Sequence, residues 1–189
     1  VLQPRRGDPN RPGVQRAEER FESREVRSCE VEQPNALWHL DFHSCSRPVL
    51  TAGGEYITPR LLGILDDRSR LCCHQQRYLS ETAENLVHGL CQAFAKRGLP
   101  RALMTDNGSA MTAGETEAGL LDSSVIHEAT LPYSPYQNGK QERFWALVEG
   151  RLMSMLERQK DLSLDQLNEA TQAWVEMEFK RTTYLRPVA

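Results

Sequence analysis

Three extended apolar runs precede any helical stripe in this chain, and that order narrows the folds open to it. Ala36 to His43 suits a first strand, Tyr56 to Leu65 a second after a Gly53-Gly54 turn, and Leu71 to Arg77 a third. Runs this close in sequence are joined by hairpin-like connections. Only afterwards do apolar residues recur at helical spacing, at Ala83, Leu86, Val87, Leu90, Cys91 and Phe94. Ser80 is the predicted N-cap of that helix, with Glu84 one position past the capping-box slot. Gly98 ends the helix and Pro100 enforces the stop. Arg101 to Thr105 then reads as a strand, which completes a β-α-β unit.

The remaining pattern alternates. Thr116 to Leu121 predicts a second, shorter helix and Val125 to Leu131 a fifth strand, with Pro132 and Pro135 stiffening the next loop. Gly139 to Glu157 reads as a long helix with Phe144, Leu147, Val148, Leu152, Met155 and Leu156 on its apolar side. Leu162 to Phe179 is the last helix, with Ser163 as N-cap and Gln166 at the capping-box position. Three strands, then helix, strand, helix, strand and two helices make an α/β order. It predicts a ribonuclease H-like fold: a mixed five-stranded sheet with helices on both faces. Ahead of this core, residues 1–15 are rich in Pro, Arg and Gly and read as an extended basic arm, and 16–30 as a short charged helix. Pro34 marks the boundary, leaving 1–35 as the arm and 36–189 as the core.

A net charge of −3 argues against bulk electrostatic attraction to nucleic acid, but the charges are unevenly placed. Arg5, Arg6, Arg11 and Arg16 face a single Asp8 in the arm, and Lys140, Arg143 and Arg151 share the long helix. A local basic track of this kind can hold phosphates on a mildly acidic chain. The five cysteines form no CxxC pair, so zinc and a disulfide framework are not indicated. Cys72 and Cys73 point to opposite sides of a strand, and one reads as a small buried hydrophobe. No apolar stretch approaches a membrane span and the first residues have no signal-peptide core, so a reduced cytoplasmic setting is expected. Val1 in place of an initiator Met points to a fragment or a processed product.

Against that frame, three acids stand at element ends. Asp41 follows Leu37-Trp38-His39-Leu40, Asp106 follows Ala102-Leu103-Met104-Thr105, and Glu142 opens the long helix. Divalent hard cations take oxygen ligands, and carboxylates delivered from separate strand and helix ends can supply them. The arrangement points to metal-assisted phosphoryl transfer on a nucleic acid. Singly, each acid has a plainer reading: Asp106-Asn107-Gly108 as a turn former, and Glu142 as a solvated helix residue. Asp66-Asp67 is a competing pair, read instead as a turn braced by Arg68 or Arg70. His39 and His43 share the strand face of Asp41, and His43 can shape the edge of the site. Lys140 beside a helix N-terminus opposes the helix dipole, a conflict that a DNA phosphate would resolve. Arg143 is a second phosphate contact or a surface salt bridge, and the Asn107 amide orients metal or substrate or serves its turn. Tyr133 to Gly139 reads as a flap, where Tyr136 and Tyr133 stack on an unpaired base or pack on the fold.

Four stretches carry a resemblance: Trp38-His39-Leu40-Asp41-Phe42, Leu65-Asp66-Asp67-Arg68-Ser69-Arg70, Thr105-Asp106-Asn107-Gly108-Ser109 and Asn138-Gly139-Lys140-Gln141-Glu142-Arg143-Phe144. In this order the chain resembles the catalytic core of DDE transposases and retroviral-type integrases, and bacterial insertion-sequence transposases with an integrase core in particular. Thirty-five residues lie between Asp106 and Glu142, an interval shared by many of these enzymes. The resemblance implies Asp41, Asp106 and Glu142 as catalytic, metal-holding residues, and two Mg²⁺ ions per site with Mn²⁺ as substitute. It implies DNA end cleavage followed by strand transfer into target DNA, by at least a dimer associated with the bacterial nucleoid, with room for an ATPase-like accessory protein. Two alternatives stay open: a ribonuclease H-like nuclease without joining activity, and a silent DNA-binding or assembly module.

Overall fold

The computed structural model describes residues 31–106, 108–130 and 139–181. Its strands are β1 (Leu37–Ser44), β2 (Val49–Leu50), β3 (Tyr56–Ile57), β4 (Arg60–Asp66), β5 (Cys72–Tyr78), β6 (Ala102–Thr105) and β7 (Ile126–Ala129). Its helices are α1 (Ala83–Arg97), α2 (Gly114–Asp122), α3 (Gly139–Leu147) and α4 (Leu164–Trp174). Helix α3 runs on through a π-helical stretch, Val148–Leu152, and a last turn at Met153–Met155, while α4 runs on through a π-helical Val175–Phe179. The expected arm and charged helix over 1–30 lie outside the described residues, as do Asn107, Tyr133 and Tyr136.

The five-stranded sheet has the order β5-β4-β1-β6-β7. β1 pairs antiparallel with β4 and parallel with β6, β4 pairs antiparallel with β5, and β6 pairs parallel with β7. The sheet is therefore mixed, as expected. Alternation along the strands builds two cores. On one face Trp38, Leu40, Leu62, Ile64 and Cys73 meet Leu86, Leu90 and Ala93 of α1 and Leu120 of α2. On the other, Leu61, Leu65 and Cys72 meet Phe144, Trp145 and Val148 of the α3 limb and Leu167 and Trp174 of α4. Cys72 and Cys73 are thus both buried, one in each core, and burial pushes both thiols up. Among the described residues no helix is long and apolar enough to cross a membrane.

Three local expectations need correction. The run from Tyr56 to Leu65 is two strands, because β3 pairs with β2 in a separate ribbon and β4 starts at Arg60. Pro59 lies at the break, and a residue without N–H cannot continue a ladder. The N-cap of α1 is Thr82 rather than Ser80, its hydroxyl accepting from the Asn85 amide at 3.3 Å. Ser80 instead holds the Asn85 side chain, which donates to its carbonyl at 2.9 Å. The long helix is α-helical only to Leu147 before its π-helical stretch begins. Other signals hold. Gly98 closes α1 with φ 79°, in the left-handed region, and Ser163 and Gln166 form the expected capping box of α4.

Candidate active site

Asp41 stands on β1 directly across from Gly63 of β4, with α3 lying over both. A Cβ at Gly63 would come within 2.4 Å of Trp145 Cη2, so only glycine lets that ring approach the strand this closely. Gln141 Nε2 donates to the Gly63 carbonyl at 2.7 Å and fixes the helix in place. From this seat Trp145 Nε1 donates weakly to Asp41 Oδ2 at 3.4 Å, and its ring stacks on His43 with centroids 5.2 Å apart. His43 Nε2 also lies 3.4 Å from Glu149 Oε1, one turn further along. His43 therefore does border the site, through Trp145. Gly63→Ala is expected to destabilise the fold by about 1–3 kcal/mol, the usual cost of overpacking, and to red-shift Trp fluorescence as the Trp145 ring is pushed from its buried seat. Unchanged urea midpoint and fluorescence would remove this account of the glycine.

Burial raises the Asp41 carboxyl to about 6, and the charges of Asp106 and Glu81 push the same way against hydrogen bonds from Trp145 and the Phe42 backbone. Asp41 and Asp106 are thus brought together, from β1 and the end of its parallel neighbour β6. Asp106 Oδ1 accepts from the Gly108 amide at 2.9 Å, so one oxygen serves the turn as its plainer reading expects. Glu81 is the acid that sequence reasoning missed. Its Oε1 lies 3.5 Å from the position a Gly108 Cβ would take, with Asp106 Oδ1 at 2.9 Å from the same point. Glu81 belongs to the loop between β5 and α1, and only the tertiary fold carries it to Asp41 of β1 and the end of β6. No motif marks it.

Glu142 is exposed in the first turn of α3, three residues before Trp145. Residues at that spacing are neighbours on one side of a helix, so Glu142 is on the side that reaches Asp41. Among the described residues no three His, Cys, Asp or Glu side chains are grouped closely enough to hold a metal ion. The structure therefore joins Asp41 to Asp106 and leaves Glu142 apart from a finished ligand set. The donor chemistry still fits a divalent cation. Asp41 and Asp106 are hard oxygen donors, and the acidic neighbours of Asp41 leave a local excess of negative charge that such an ion would neutralise.

Asp67 has a different role from the turn former expected. Asp66 does make the turn, accepting from Ser69 N and Oγ at 2.7 and 2.6 Å and from Asn35 N at 2.6 Å. Asp67 is fully buried and meets His39 Nε2 at 2.7 Å and the Lys140 ammonium, with Arg70 Nη1 further off at 3.9 Å. Burial alone would raise this carboxyl, but hydrogen bonds from His39 and Lys140, with their charges, hold it at about 2. Lys140, expected on a DNA phosphate, thus has its ammonium against Asp67, which answers the awkward cation at a helix N-terminus within the protein itself. Arg143 is exposed and makes no salt bridge among the described residues, which leaves it open to an external anion.

Residues 31–135, more than half of the chain, match the integrase core domain family. That match includes Asp41 and Asp106 and ends before Glu142. A 76-residue stretch, 40% of this chain, is 26% identical to the Gag-Pro-Pol polyprotein of sheep pulmonary adenomatosis virus, and spans 4% of that protein. Among solved structures, the fold is similar to a chain of the simian T-cell lymphotropic virus intasome in complex with PP2A regulatory subunit B56 gamma. There the TM-score is 0.67 at 20% identity, over 84% of this chain and 57% of that one. It is also similar to the HTLV-2 integrase catalytic core domain in complex with magnesium, in its dimeric form, with TM-score 0.59 at 22% identity over 76% of this chain and 86% of the other. At these identities the likeness establishes the fold, a mixed sheet of the ribonuclease H-like integrase core kind.

Proposed function

This chain belongs to the integrase core domain family, and we propose that it is a polynucleotidyl transferase that cuts a DNA end and joins the new 3′-hydroxyl to target DNA. The observation that supports this most is the meeting of Asp41, inside β1, with Asp106, just past the end of the parallel strand β6, with the Asp41 carboxyl lifted to about 6. Asp41 and Asp106 would hold divalent cations, Mg²⁺ or Mn²⁺, with Glu142 completing the set from α3. Bound there, two such ions would supply charge neutralisation at the phosphate and an activated oxygen nucleophile. The chain's own part is placement. β1 and β6 fix the two aspartates, Trp145 limits water on one side of Asp41, and α3 carries Glu142 past them.

Solved relatives support the surroundings of this reading: an HTLV-2 integrase core was described with magnesium in dimeric and trimeric forms, and a related chain in an intasome. By analogy the chain works on DNA as at least a dimer, one site for each joined strand. An ATPase-like accessory partner finds no support among these relatives. The test is direct. Short DNA carrying a candidate element end, incubated with Mg²⁺ or Mn²⁺, is expected to be cut and joined by the wild type. Asp106→Asn and Glu142→Gln should each lose about a hundredfold or more, since each removes several kcal/mol of ion-mediated stabilisation. Cutting without joining would select the plain nuclease, and full activity in either variant would overturn the assignment.

A further inference from the structure

On the flank of α3 away from Trp145 and Glu149 lies a pocket of about 490 Å³ that the catalytic reading does not use. Its apolar walls include Leu65, Phe144, Trp174 and Phe179. Its described charged lining is four cations, Arg70, Lys140, Arg143 and Arg151, against the single carboxylate of Glu178. The two outer cations, Arg143 and Arg151, are exposed and make no ion pair among the described residues. Arg151 lies in the π-helical stretch that follows α3, and Glu178 and Phe179 in the one that follows α4. Such stretches interrupt regular helix packing and recur at functional sites. Here two of them flank one cavity.

We propose that this pocket docks an acidic peptide segment of a partner protein, with an apolar side chain inside it and carboxylates on Arg143 and Arg151. Charge complementarity selects an anionic occupant, and the apolar walls select one that carries a nonpolar group. A duplex keeps its bases stacked inside and offers such a pocket only its hydrated sugar-phosphate backbone. Arg143 and Arg151 are separated by roughly 12 Å along the helix at 1.5 Å per residue. An amphipathic peptide helix with acids two turns apart and apolar residues between them on one face matches that span. The volume is in the range that holds one or two large side chains. The proposal does not rest on the transferase reading, because neither the peptide nor the pocket involves Asp41 or Asp106.

Binding of a fluorescein-labelled acidic peptide, with glutamates flanking a Leu-Phe pair, to the full chain can be followed by fluorescence anisotropy. The wild type should bind with an affinity that weakens as salt rises. The double variant Arg143→Glu, Arg151→Glu should lose at least about tenfold, and Arg143→Lys, Arg151→Lys should keep most of it. Replacing the peptide's Leu and Phe by Ser should also abolish binding. Circular dichroism checks that the exposed substitutions leave the fold intact. No binding to wild type, binding unaffected by the charge reversal, or binding indifferent to the peptide's apolar pair would each overturn the proposal. A short DNA duplex that competes and is itself weakened by the same reversal, with no dependence on the apolar pair, would make the pocket part of a nucleic-acid track instead.

Discussion

Asp41→Asn is expected to raise the melting temperature of the metal-free protein at pH 8 while abolishing metal-dependent DNA cleavage. The two effects have one cause. In the folded chain the Asp41 carboxyl is raised from 3.8 to about 6, by burial first and then by Asp106 and Glu81. The native state therefore holds this proton more tightly than the unfolded one. Its favourable contribution is complete below about 3.8 and is lost as pH rises through about 6. Above that, the ionised group is a net cost of up to about 3 kcal/mol, at 1.36 kcal/mol per pKa unit. Asparagine is nearly isosteric, keeps an oxygen for Trp145 Nε1 and carries no charge, so it removes the cost. For a domain of this size, each kcal/mol moves the midpoint by about 2–4 °C. The same substitution removes the oxygen that a cation would take, so the variant should gain nothing from Mg²⁺ while the wild type does. In the wild type, cation affinity should rise with pH through about 6 as the carboxyl ionises. Melting curves in EDTA and in Mg²⁺ at pH 5 and pH 8 check all of this. A variant less stable than wild type at pH 8 in EDTA, or one that still cuts DNA, would sink the argument.

The two aspartates are legible in the sequence, and the reason is local. Asp41 and Asp106 each follow a short apolar run, although β1 continues past Asp41 to Ser44, and the order of elements along the chain follows from where helical spacing starts. The Ser163 and Gln166 capping box and the Gly98 stop are equally local, set within one turn of chain. What was missed depends on contacts between distant segments. Gly63 reads as an interruption in a strand, yet it is the seat for Trp145, 82 positions later in sequence. Glu81 has no motif around it and becomes a neighbour of Asp41 only when β5 turns into α1 at the end of the sheet. Thr82 takes the cap because Ser80 spends its groups on the Asn85 side chain, a competition that spacing alone does not resolve. In the sequence Asp67 pairs with its neighbour as half of a turn, although one of the adjacent acids serves the turn and the other enters the protein. The π-helical stretches leave no trace in the apolar pattern, which continues through Val148 and Leu152 as a regular helix would.

That inward-facing acid gives the second large effect: Asp67→Asn should unfold more easily and should lose cleavage more than it loses DNA affinity. Its carboxylate is buried between His39 and Lys140, from β1 and the first turn of α3, and also accepts from the Val31 amide at 3.3 Å. Removing one partner of a buried pair costs about 3–5 kcal/mol, because the other is left without its counter-charge. The low end, about 3 kcal/mol, applies here, since the Lys140 side chain is 23% exposed and water can take up part of its charge. The pH dependence has the opposite sign to that of Asp41. With the folded carboxyl at about 2, its stabilisation is present above 3.8 and disappears as pH falls towards 2. Wild type should therefore lose its advantage over Asp67→Asn as acid is added, and the two urea curves should approach each other near the lower limit. The activity loss follows from position. His39 is two residues before Asp41 and Lys140 two before Glu142, so one carboxylate ties together the strand and the helix that deliver both acids. Untied, the helix start can shift by a fraction of an ångström or more, and misplacement on the ångström scale can cost about a hundredfold in rate. The turnover rate should fall while the Michaelis constant for DNA changes little. Equal urea midpoints at neutral pH, or a variant whose only defect is weaker DNA binding, would show that Asp67 holds neither element in place.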